Sequence, residues 1–296
     1  MELWLDLELR ADIDDYITLL YAIETNKNIT ELSIVNPSIN ELKLFKYVKE
    51  KYNLNIPIIY SGKIIDLLGN KGINHNLLDL IQYIELDFDN DIIHINDYLK
   101  QNINFENKIV FCGGAFTNLK MILEQNPLQN IIGYLQGGYA GETIVGKENV
   151  LEKFKGREQV PSWNPNLDLE STNCVLNSNN FKGYFISKNV CHNSWMNEKD
   201  FENENSELYQ TLKEYFKYNK YESECMHDLV AFASIFDKSF IEFKRVNLNH
   251  TNDKLVSWYS ILNENSNIQI STKLNMNKFK YFINSELNQS LELNFK

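Results

Sequence analysis

The stretch D-L-E-L-R-A-D-I-D-D, residues 6–15, places five carboxylates within ten residues. It overlaps an apolar segment, 3–9, that predicts a buried strand, and residues 15–24 follow with apolar side chains at helical spacing. Crowded carboxylates repel one another unless a cation lies among them. Their hard oxygens suit Ca²⁺ or Mg²⁺ better than Zn²⁺. A solvated acidic loop is the alternative for the run alone, but its place between a strand and a helix favours a cation site.

The rest of the chain alternates between predicted strands and helices. Strands are predicted over 31–36, 56–60, 108–112, 131–136 and 183–187, and helices over 40–52, 77–84, 117–124, 168–176, 207–218 and 227–236. This alternation predicts an α/β fold with a mostly parallel, doubly wound sheet. Ligands of such sheets bind beyond the carboxyl ends of the strands. The acidic run and the turns Gly113-Gly114 and Gly137-Gly138 fall at those ends.

Beyond residue 243 the pattern changes to alternating apolar and polar residues. It predicts three strands, over 254–261, 267–274 and 278–283, and so a strand-rich C-terminal segment. We find neither an internal repeat nor a Pro- or Ser-rich linker. The sequence therefore predicts a single domain over residues 1–296.

Charge and composition exclude several classes of partner. The formal net charge is -11, whereas binding a nucleic-acid backbone needs clustered Lys and Arg. No stretch approaches the roughly 18–20 apolar residues of a membrane span, and no signal-peptide pattern opens the sequence, so we expect a cytoplasmic protein. The four cysteines, Cys112, Cys174, Cys191 and Cys225, form no CxxC pair. They predict reduced thiols, with neither a zinc site nor a disulfide framework.

The acidic run resembles the opening motif of the inosine-uridine nucleoside hydrolase family, in its longer form D-x-D-x-x-x-D-x-D-D, with Glu8 replacing the second Asp. Further segments resemble that family in the same order along the chain. They are Asn36, the turn G-G-A-F-T-N-L at 113–119, Q-G-G at 136–138, S-W-N at 162–164 followed by Asp168, and M-H-D-L-V-A at 226–231. The matches span residues 6–231.

This resemblance implies a nucleoside-hydrolase-like fold and Ca²⁺-dependent hydrolysis of the N-glycosidic bond of a ribonucleoside. It implies Glu8 as general base, His227 as proton donor to the departing base, and Asp6 as a brace for the acidic loop. The implied calcium ligands are Glu8, Asp15, the Thr117 carbonyl and Asp228, and the implied substrate contacts are Asp14, Asn36, Trp163, Asn164 and Asp228. Members of the family are commonly dimers or tetramers, so a homo-oligomer is expected.

Elementary chemistry agrees with these roles. Glycosidic cleavage passes through an oxocarbenium-like transition state. Carboxylates stabilise the developing positive charge, a metal acidifies the attacking water, and a proton donor assists the departing base. The residues that the resemblance selects supply these groups.

The chain departs from the family pattern at two important positions. Glu8 is one methylene longer than Asp, and Ser162 stands where the family has a Glu that contacts the sugar. A binding or regulatory protein with weakened chemistry is therefore the alternative function. A haloacid-dehalogenase-type phosphatase is a third interpretation, since Asp6-Leu7-Glu8 follows the first strand, but the later Lys and acidic pair of that mechanism have no convincing equivalents.

Two further groups of residues bear on the base pocket that the resemblance implies. Aromatic residues near the H-D motif are candidates for stacking on the base, namely Tyr215, Phe216, Tyr218, Tyr221 and Trp195. The segment K-N-V-C-H at 188–192 stands where the family often has L-D-V-T-H, and we interpret it, including His192, as structural.

Overall fold

The computed structural model describes residues 1–9, 13–65, 75–88 and 90–294. Asp12, one of the five carboxylates of the acidic run, lies outside these ranges. The strands are β1 Glu2–Asp6, β2 Ile29–Val35, β3 Ile58–Ser61, β4 Ile92–His94, β5 Lys108–Cys112, β6 Ile131–Gln136, β7 Phe181–Ile186, β8 Trp195–Met196, β9 Glu224–Cys225, β10 Ile241–His250, β11 Trp258–Leu262 and β12 Ile268–Leu274.

The helices connect these strands. They are α1 Asp14–Glu24, α2 Ile39–Lys51, α3 His75–Ile81, α4 Ile95–Leu99, α5 Thr117–Gln125, α6 Glu142–Val145, α7 Trp163–Leu167, α8 Leu169–Leu176, α9 Lys188–Cys191, α10 Glu207–Asn219, α11 His227–Ala233 and α12 Met276–Asn294. Local chemistry fixes several boundaries. Ser38 and Glu41 form a reciprocal capping box at the start of α2. None of the helices in the described ranges combines the length and apolar character that crossing a membrane requires.

Ten of the described strands form one sheet in the order β11-β10-β12-β7-β6-β5-β1-β2-β3-β4. All neighbours from β4 to β12 pair in parallel, and β10 and β11 add an antiparallel edge. The predicted α/β class and mostly parallel sheet are confirmed. Chain order reverses at β1, which has β2 on one side and β5 on the other. A crevice therefore opens beyond its carboxyl end, where the acidic run begins.

Hydrophobic cores cover both faces of the sheet. Leu3, Trp4 and Leu5 of β1 are fully buried, as expected for a central parallel strand covered on both sides. Leu3 and Leu5 join one core, with apolar side chains of α1, α10 and α11, and Trp4 joins the other, with α4 and α5. With its strand fixed between two cores, the acidic loop after β1 has a rigid base.

The C-terminal segment corrects one sequence prediction. Residues 254–261 and 267–274 overlap β11 and β12, but the strand predicted over 278–283 is wrong, because these residues lie within α12. Phe279, Ile283 and Leu287 are buried at four-residue spacing, whereas Tyr281 is 77% exposed. Alternation of charged and aromatic residues over six positions resembled a strand, and the helical period appears only over the longer window.

Candidate active site

Three buried carboxylates from two helices meet beyond the ends of β1 and β5. Asp14 and Asp15 are the first two residues of α1, and Asp228 is the second residue of α11. Their side chains are 0%, 2% and 4% exposed, and one oxygen of each lies within 4.8 Å of the others. Carboxylates buried this closely repel unless positive charge lies between them. We call these three residues the oxygen cluster.

Backbone hydrogen bonds hold the oxygen cluster together. The Asp228 N–H donates to Asp14 Oδ2 at 3.0 Å, which joins α11 to α1. The Glu8 N–H donates to Asp15 Oδ1 at 3.0 Å, which places the start of the acidic loop against the same cluster. The acidic run is thereby fixed to α11, from which it is separated by more than 200 positions in the sequence.

Gly113, which follows β5, leaves space against the oxygen cluster. A Cβ at this position would lie 2.9 Å from Oδ1 of both Asp15 and Asp228, closer than real side chains approach. Glycine therefore keeps open a cradle beside two buried carboxylates. Hard oxygen donors converging at such a cradle fit a divalent cation such as Ca²⁺ or Mg²⁺.

A cavity of about 190 Å³ begins next to the oxygen cluster. Its lining comes from the loops that follow β1, β2, β3 and β5 and from the segment around α7: Asp6, Leu7, Glu8, Val35, Asn36, Gly62, Gly114, Ala115, Thr117, Leu167 and Asp168. Glu8 belongs to this lining and its N–H also reaches Asp15. The cavity thus brings together Glu8, Asn36 and Thr117, three residues that the sequence selected from separate motifs.

Asn36 is held in a constrained conformation at the cavity wall. Its φ of 47° lies in the left-handed region, which Asn adopts more readily than most residues. Its Oδ1 accepts a hydrogen bond from the Lys63 N–H at 3.0 Å, and a Cβ on Gly62 would lie 2.1 Å from that oxygen. The turn after β3 therefore orients the Asn36 amide, and only glycine fits at position 62.

Asp168 is another carboxylate residue that lines the cavity. Thr117 Oγ1 donates to its Oδ2 at 2.7 Å, and Ser171 donates through its hydroxyl and its N–H at 2.6 and 3.0 Å. Burial raises the pKa of Asp168, but these hydrogen bonds outweigh burial, and the pKa lies below its ordinary value. Asp168 is therefore ionised at neutral pH.

Asp6, which also lines the cavity, braces the acidic loop. Its Oδ1 accepts hydrogen bonds from Ser33 at 2.6 Å and Asn118 at 2.7 Å, and Cys112 Sγ lies 3.4 Å from Oδ2. Burial raises the pKa of Asp6 to about 6, although the three hydrogen bonds lower it. The partners come from β2, α5 and β5, so Asp6 ties the acidic loop to three elements, as the sequence predicted.

His227, the first residue of α11, lies beside a second histidine. The rings of His227 and His192 meet edge to face with centroids 5.0 Å apart. Burial, with a smaller contribution from His227, lowers the pKa of His192 to about 3, so His192 is neutral at physiological pH. The proton donor predicted from sequence, His227, therefore packs against a neutral imidazole.

Comparison with solved structures assigns the architecture. A purine-preferring ribonucleoside hydrolase from Gardnerella vaginalis superposes with a TM-score of 0.70 at 12% identity, covering 99% of this chain and 100% of that chain. The chain has the nucleoside hydrolase fold. A plant nucleoside hydrolase gives 0.68 at 13% identity, covering 97% of this chain and 98% of the other. An inosine-uridine preferring nucleoside hydrolase from Bacillus anthracis gives 0.66 at 11%, covering 97% and 99%.

Sequence comparison, unlike structure comparison, finds no match for this chain. No protein-family profile matches the chain, and no curated protein matches it. At 11–13% identity the superpositions establish the fold alone. The nucleoside hydrolase fold predicted from the acidic run and the H-D motif is confirmed, and the residue roles depend on the site itself.

The S-W-N segment contributes differently from what the sequence suggested. Trp163 opens α7, is 67% exposed, and is absent from the cavity lining. Asn164 is buried, and its Nδ2 donates to the Gly113 carbonyl at 2.6 Å and to Gln136 Oε1 at 2.7 Å. Asn164 therefore fixes the glycine turn that forms the cradle. Sugar contacts for Trp163 and Asn164 remain predictions.

Ser162 has a local partner within the nucleoside hydrolase fold. Its hydroxyl is 2.9 Å from the backbone N–H of Gly138 and accepts its hydrogen bond. The side chain is buried and belongs to the turn after β6. The position that carries a sugar-binding Glu in the family pattern thus stabilises the backbone here.

The aromatic candidates divide between core and surface. Tyr215 and Phe216 are 9% and 6% exposed and belong to the core of the α1 face, whereas Tyr218, Tyr221 and Trp195 are at least half exposed. Sequence reasoning missed the role of Gln136, which receives Asn164, and the contact of His192 with His227. Only the ordered match of residues 188–192 to the family pattern pointed to His192.

Proposed function

We propose that this protein is a Ca²⁺-dependent N-ribosyl hydrolase that cleaves a ribonucleoside to free base and ribose. The observation that carries the proposal is the oxygen cluster of Asp14, Asp15 and Asp228, buried beside a cavity lined by Glu8 and Asn36 within a nucleoside hydrolase fold. The neighbours' names support the substrate class, since one prefers purine ribonucleosides and another inosine and uridine.

The residues that would hold calcium are Glu8, Asp15, the Thr117 carbonyl and Asp228. Asp15 and Asp228 flank the Gly113 cradle, and Glu8 and Thr117 line the adjoining cavity. Calcium bound there would neutralise the buried carboxylates and acidify a neighbouring water. The oxygen-only donor set favours calcium over a softer metal.

Glu8 is the proposed general base. It is half-buried at the cavity wall, and its backbone is fixed by Asp15, so its carboxylate can accept a proton from water inside the cavity. Asp14 and Asn36 are the proposed acceptors for the ribose hydroxyls. Together these oxygens stabilise the positive charge that develops on the sugar as the glycosidic bond breaks.

His227 is the proposed acid for the departing base. It stands one residue before Asp228, whose N–H donates to Asp14 Oδ2, so the imidazole begins α11 next to the residue proposed to hold the ribose. The proton moves from the imidazolium to a ring nitrogen of the base as the C–N bond cleaves. His192, which burial keeps neutral, packs edge to face against His227.

We propose a cytoplasmic enzyme of nucleoside salvage that assembles as a homo-oligomer, dimer or tetramer, as the resemblance implies. Light scattering of the purified chain measures the assembly state, and a monomeric mass would contradict that part of the proposal.

A nucleoside-binding or regulatory protein with weakened chemistry is the second candidate. Ser162 favours it, because its hydroxyl is engaged by Gly138 and leaves the sugar without one strong acceptor. The longer Glu8 side chain favours it as well, since displacements of about an ångström can cost roughly a hundredfold in rate.

One assay distinguishes the two candidates. Release of free base is measured on purine, pyrimidine and modified ribonucleosides, with calcium and with a chelator. Chelator-sensitive release of base and ribose supports the hydrolase. Saturable nucleoside binding without release across the panel would contradict it and favour the binding protein.

A further inference from the structure

A second group of metal-binding side chains lies on the other side of His227. One ligand atom each of His192, Cys225 and His227 lies within 4.8 Å of the others. Two imidazoles and a thiol are nitrogen and sulfur donors, which favour zinc or copper over calcium. We call these three residues the nitrogen–sulfur cluster.

We infer that the nitrogen–sulfur cluster is a binding site for a thiophilic divalent cation of the zinc class, and that an ion bound there withholds His227 from proton transfer. The binding part stands on the three side chains alone. The inhibition part rests on the proposed function.

Backbone pairing brings these residues together. Strand β8 pairs antiparallel with β9, with Trp195 opposite Cys225, and the Met226 N–H donates to the Ser194 carbonyl at 3.0 Å. His192 follows α9 immediately, and the ring centroid of Phe154 lies 5.6 Å from its own. Cys225 and His227 flank Met226 in a C-x-H sequence. The cluster is therefore part of a folded unit, and its members are not independently mobile surface side chains.

The spacing suits a metal after a small adjustment. Zinc–sulfur and zinc–nitrogen bonds of about 2.0–2.3 Å place tetrahedral ligand atoms about 3.6 Å apart. Ligand atoms within 4.8 Å need to close by about 1 Å at most, which side-chain rotation provides. Both histidines are half-buried, so one side of the site faces solvent, and a water can occupy the fourth position.

Metal binding would remove a proton from Cys225 but not from His192. Burial raises the pKa of the Cys225 thiol to about 12, and the thiol donates to the Cys191 carbonyl at 2.9 Å. Coordination breaks this hydrogen bond, releases the thiol proton to solvent, and forms a sulfur–metal bond with no change in oxidation state. His192 is already neutral and offers a nitrogen lone pair without losing a proton.

The test begins with direct binding to the full-length, calcium-loaded protein. Cobalt(II) is titrated as a coloured substitute for zinc, and absorption from cobalt–thiolate charge transfer is recorded. We expect this band to saturate at one equivalent and to disappear when zinc is added. Absence of a thiolate band, or stoichiometric binding without it, would overturn the site.

Matched variants assign the ligands. Cys225→Ser abolishes the thiolate band, and His192→Asn, at a half-buried position, weakens zinc binding by at least about a hundredfold in calorimetry. Cys174→Ser is the control, because Cys174 lies on α8 beside Glu124, outside the cluster. Equal zinc affinity in His192→Asn and wild type, or a band that persists in Cys225→Ser, would show that the metal binds elsewhere.

Activity is measured separately. Zinc at saturating concentration, with calcium in excess, should lower base release by about 10³-fold, the same loss that removal of His227 would give, because a general acid contributes roughly 10²–10⁴-fold. His192→Asn, compared with its own zinc-free rate, should lose this sensitivity. Zinc bound at the cluster with base release unchanged would refute the inhibition, while a protein without hydrolase activity would leave the cobalt and calorimetric results as they stand.

Discussion

The oxygen cluster and the nitrogen–sulfur cluster are built around two consecutive residues of the same helix. Asp228 directs its carboxylate to Asp14 and Asp15, whereas His227 directs its ring to His192 and Cys225. The first cluster is fully buried and contains only carboxylates. The second contains only nitrogen and sulfur donors, and its two histidines are half-buried around the buried Cys225.

The difference shows how one helix start separates two chemistries. Successive residues of a helix point about 100° apart, so adjacent side chains at the start of α11 face different neighbours. The α1 helix supplies carboxylates on one side, and the β8–β9 pair supplies softer ligands on the other. A hard cation and a soft cation are thereby expected to select different clusters within one site.

Removing a carboxylate from the oxygen cluster should have the largest effect. Asp228→Asn or Asp15→Asn should lower base release by roughly 10⁴-fold and abolish the rise in melting temperature that calcium gives wild type, because the metal contributes several kcal/mol to the barrier. In chelator the same variants should melt higher than wild type, since one repelling charge is gone. Asp97→Asn, at an exposed ion pair with Lys100, is the control. Full activity in either variant would refute the oxygen cluster as the catalytic metal site.

His227 tests the boundary between the clusters. His227→Ala should lower base release from ordinary ribonucleosides by about 10³-fold, because the departing base loses its proton donor. A nitrophenyl riboside, whose leaving group needs no proton, should react at nearly the wild-type rate. His250→Gln is a suitable control, since His250 contacts Asn173 and Trp258 away from the site. Equal losses on both substrates would contradict an acid role for His227.

Substitutions of Glu8, which lines the cavity and donates its N–H to Asp15 of the oxygen cluster, test its proposed role as general base. If the loop geometry suits the shorter Asp side chain, the Glu8 carboxylate is misplaced, and Glu8→Asp should raise kcat by up to about a hundredfold. If the loop is built around Glu8, the same change should lower kcat by a similar factor. The hydrolase proposal expects Glu8→Gln to be inactive in both cases, and a Glu8→Gln variant with wild-type kcat would eliminate Glu8 as the base.

A half-buried carboxyl outside both clusters gives the smallest effect. Burial raises the pKa of Glu24 to about 6, although it accepts hydrogen bonds from the N–H groups of Glu207 and Leu208. The folded state therefore holds this proton more tightly, so stability is lost as pH rises from about 4.5 to about 6 and changes no further above that. Between these two pH values, the unfolding free energy of wild type should fall by about 2 kcal/mol more than that of Glu24→Gln.

Denaturant titrations at several pH values measure this difference. It should be the same with calcium and with chelator, in contrast to the effects of the oxygen cluster. Parallel stability curves for wild type and Glu24→Gln would contradict a raised pKa at this position.

Much of the fold could be predicted because its signals are local. Strands 108–112 and 131–136 coincide with β5 and β6, and the turns that follow them fall where the sequence predicted. The three-residue strand β4, the two-residue strands β8 and β9, and the strand β10 between β11 and β12 were not predicted. Strands of two or three residues are too short to show a period, and α12 was mistaken for a strand over six residues.

The structure brings together some of the site residues that the sequence motifs predicted and separates others from the cavity. Asp14, Asp15, Asp228, Glu8 and Asn36 belong to ordered motifs, and the structure brings them together. Trp163 also belongs to a motif, but its side chain points to solvent, and Ser162 serves the Gly138 backbone instead of the cavity. A motif records which residues stand near a site, and the packing of each side chain then decides which of them faces it.

By itself the sequence determined the alternation of strands and helices, the acidic run after β1 and the positions of the H-D and Gly-Gly motifs. Each of these features depends on residues that are close together in the sequence. Only the tertiary structure decided that Gly113 leaves a cradle for two carboxylates, that Asn164 fixes that glycine, and that His192 and Cys225 flank His227. Apart from the Cys225–His227 pair, these contacts join residues 30 or more positions apart, and they exist because parallel strand order and the β8–β9 pairing bring the loop ends to one edge of the sheet.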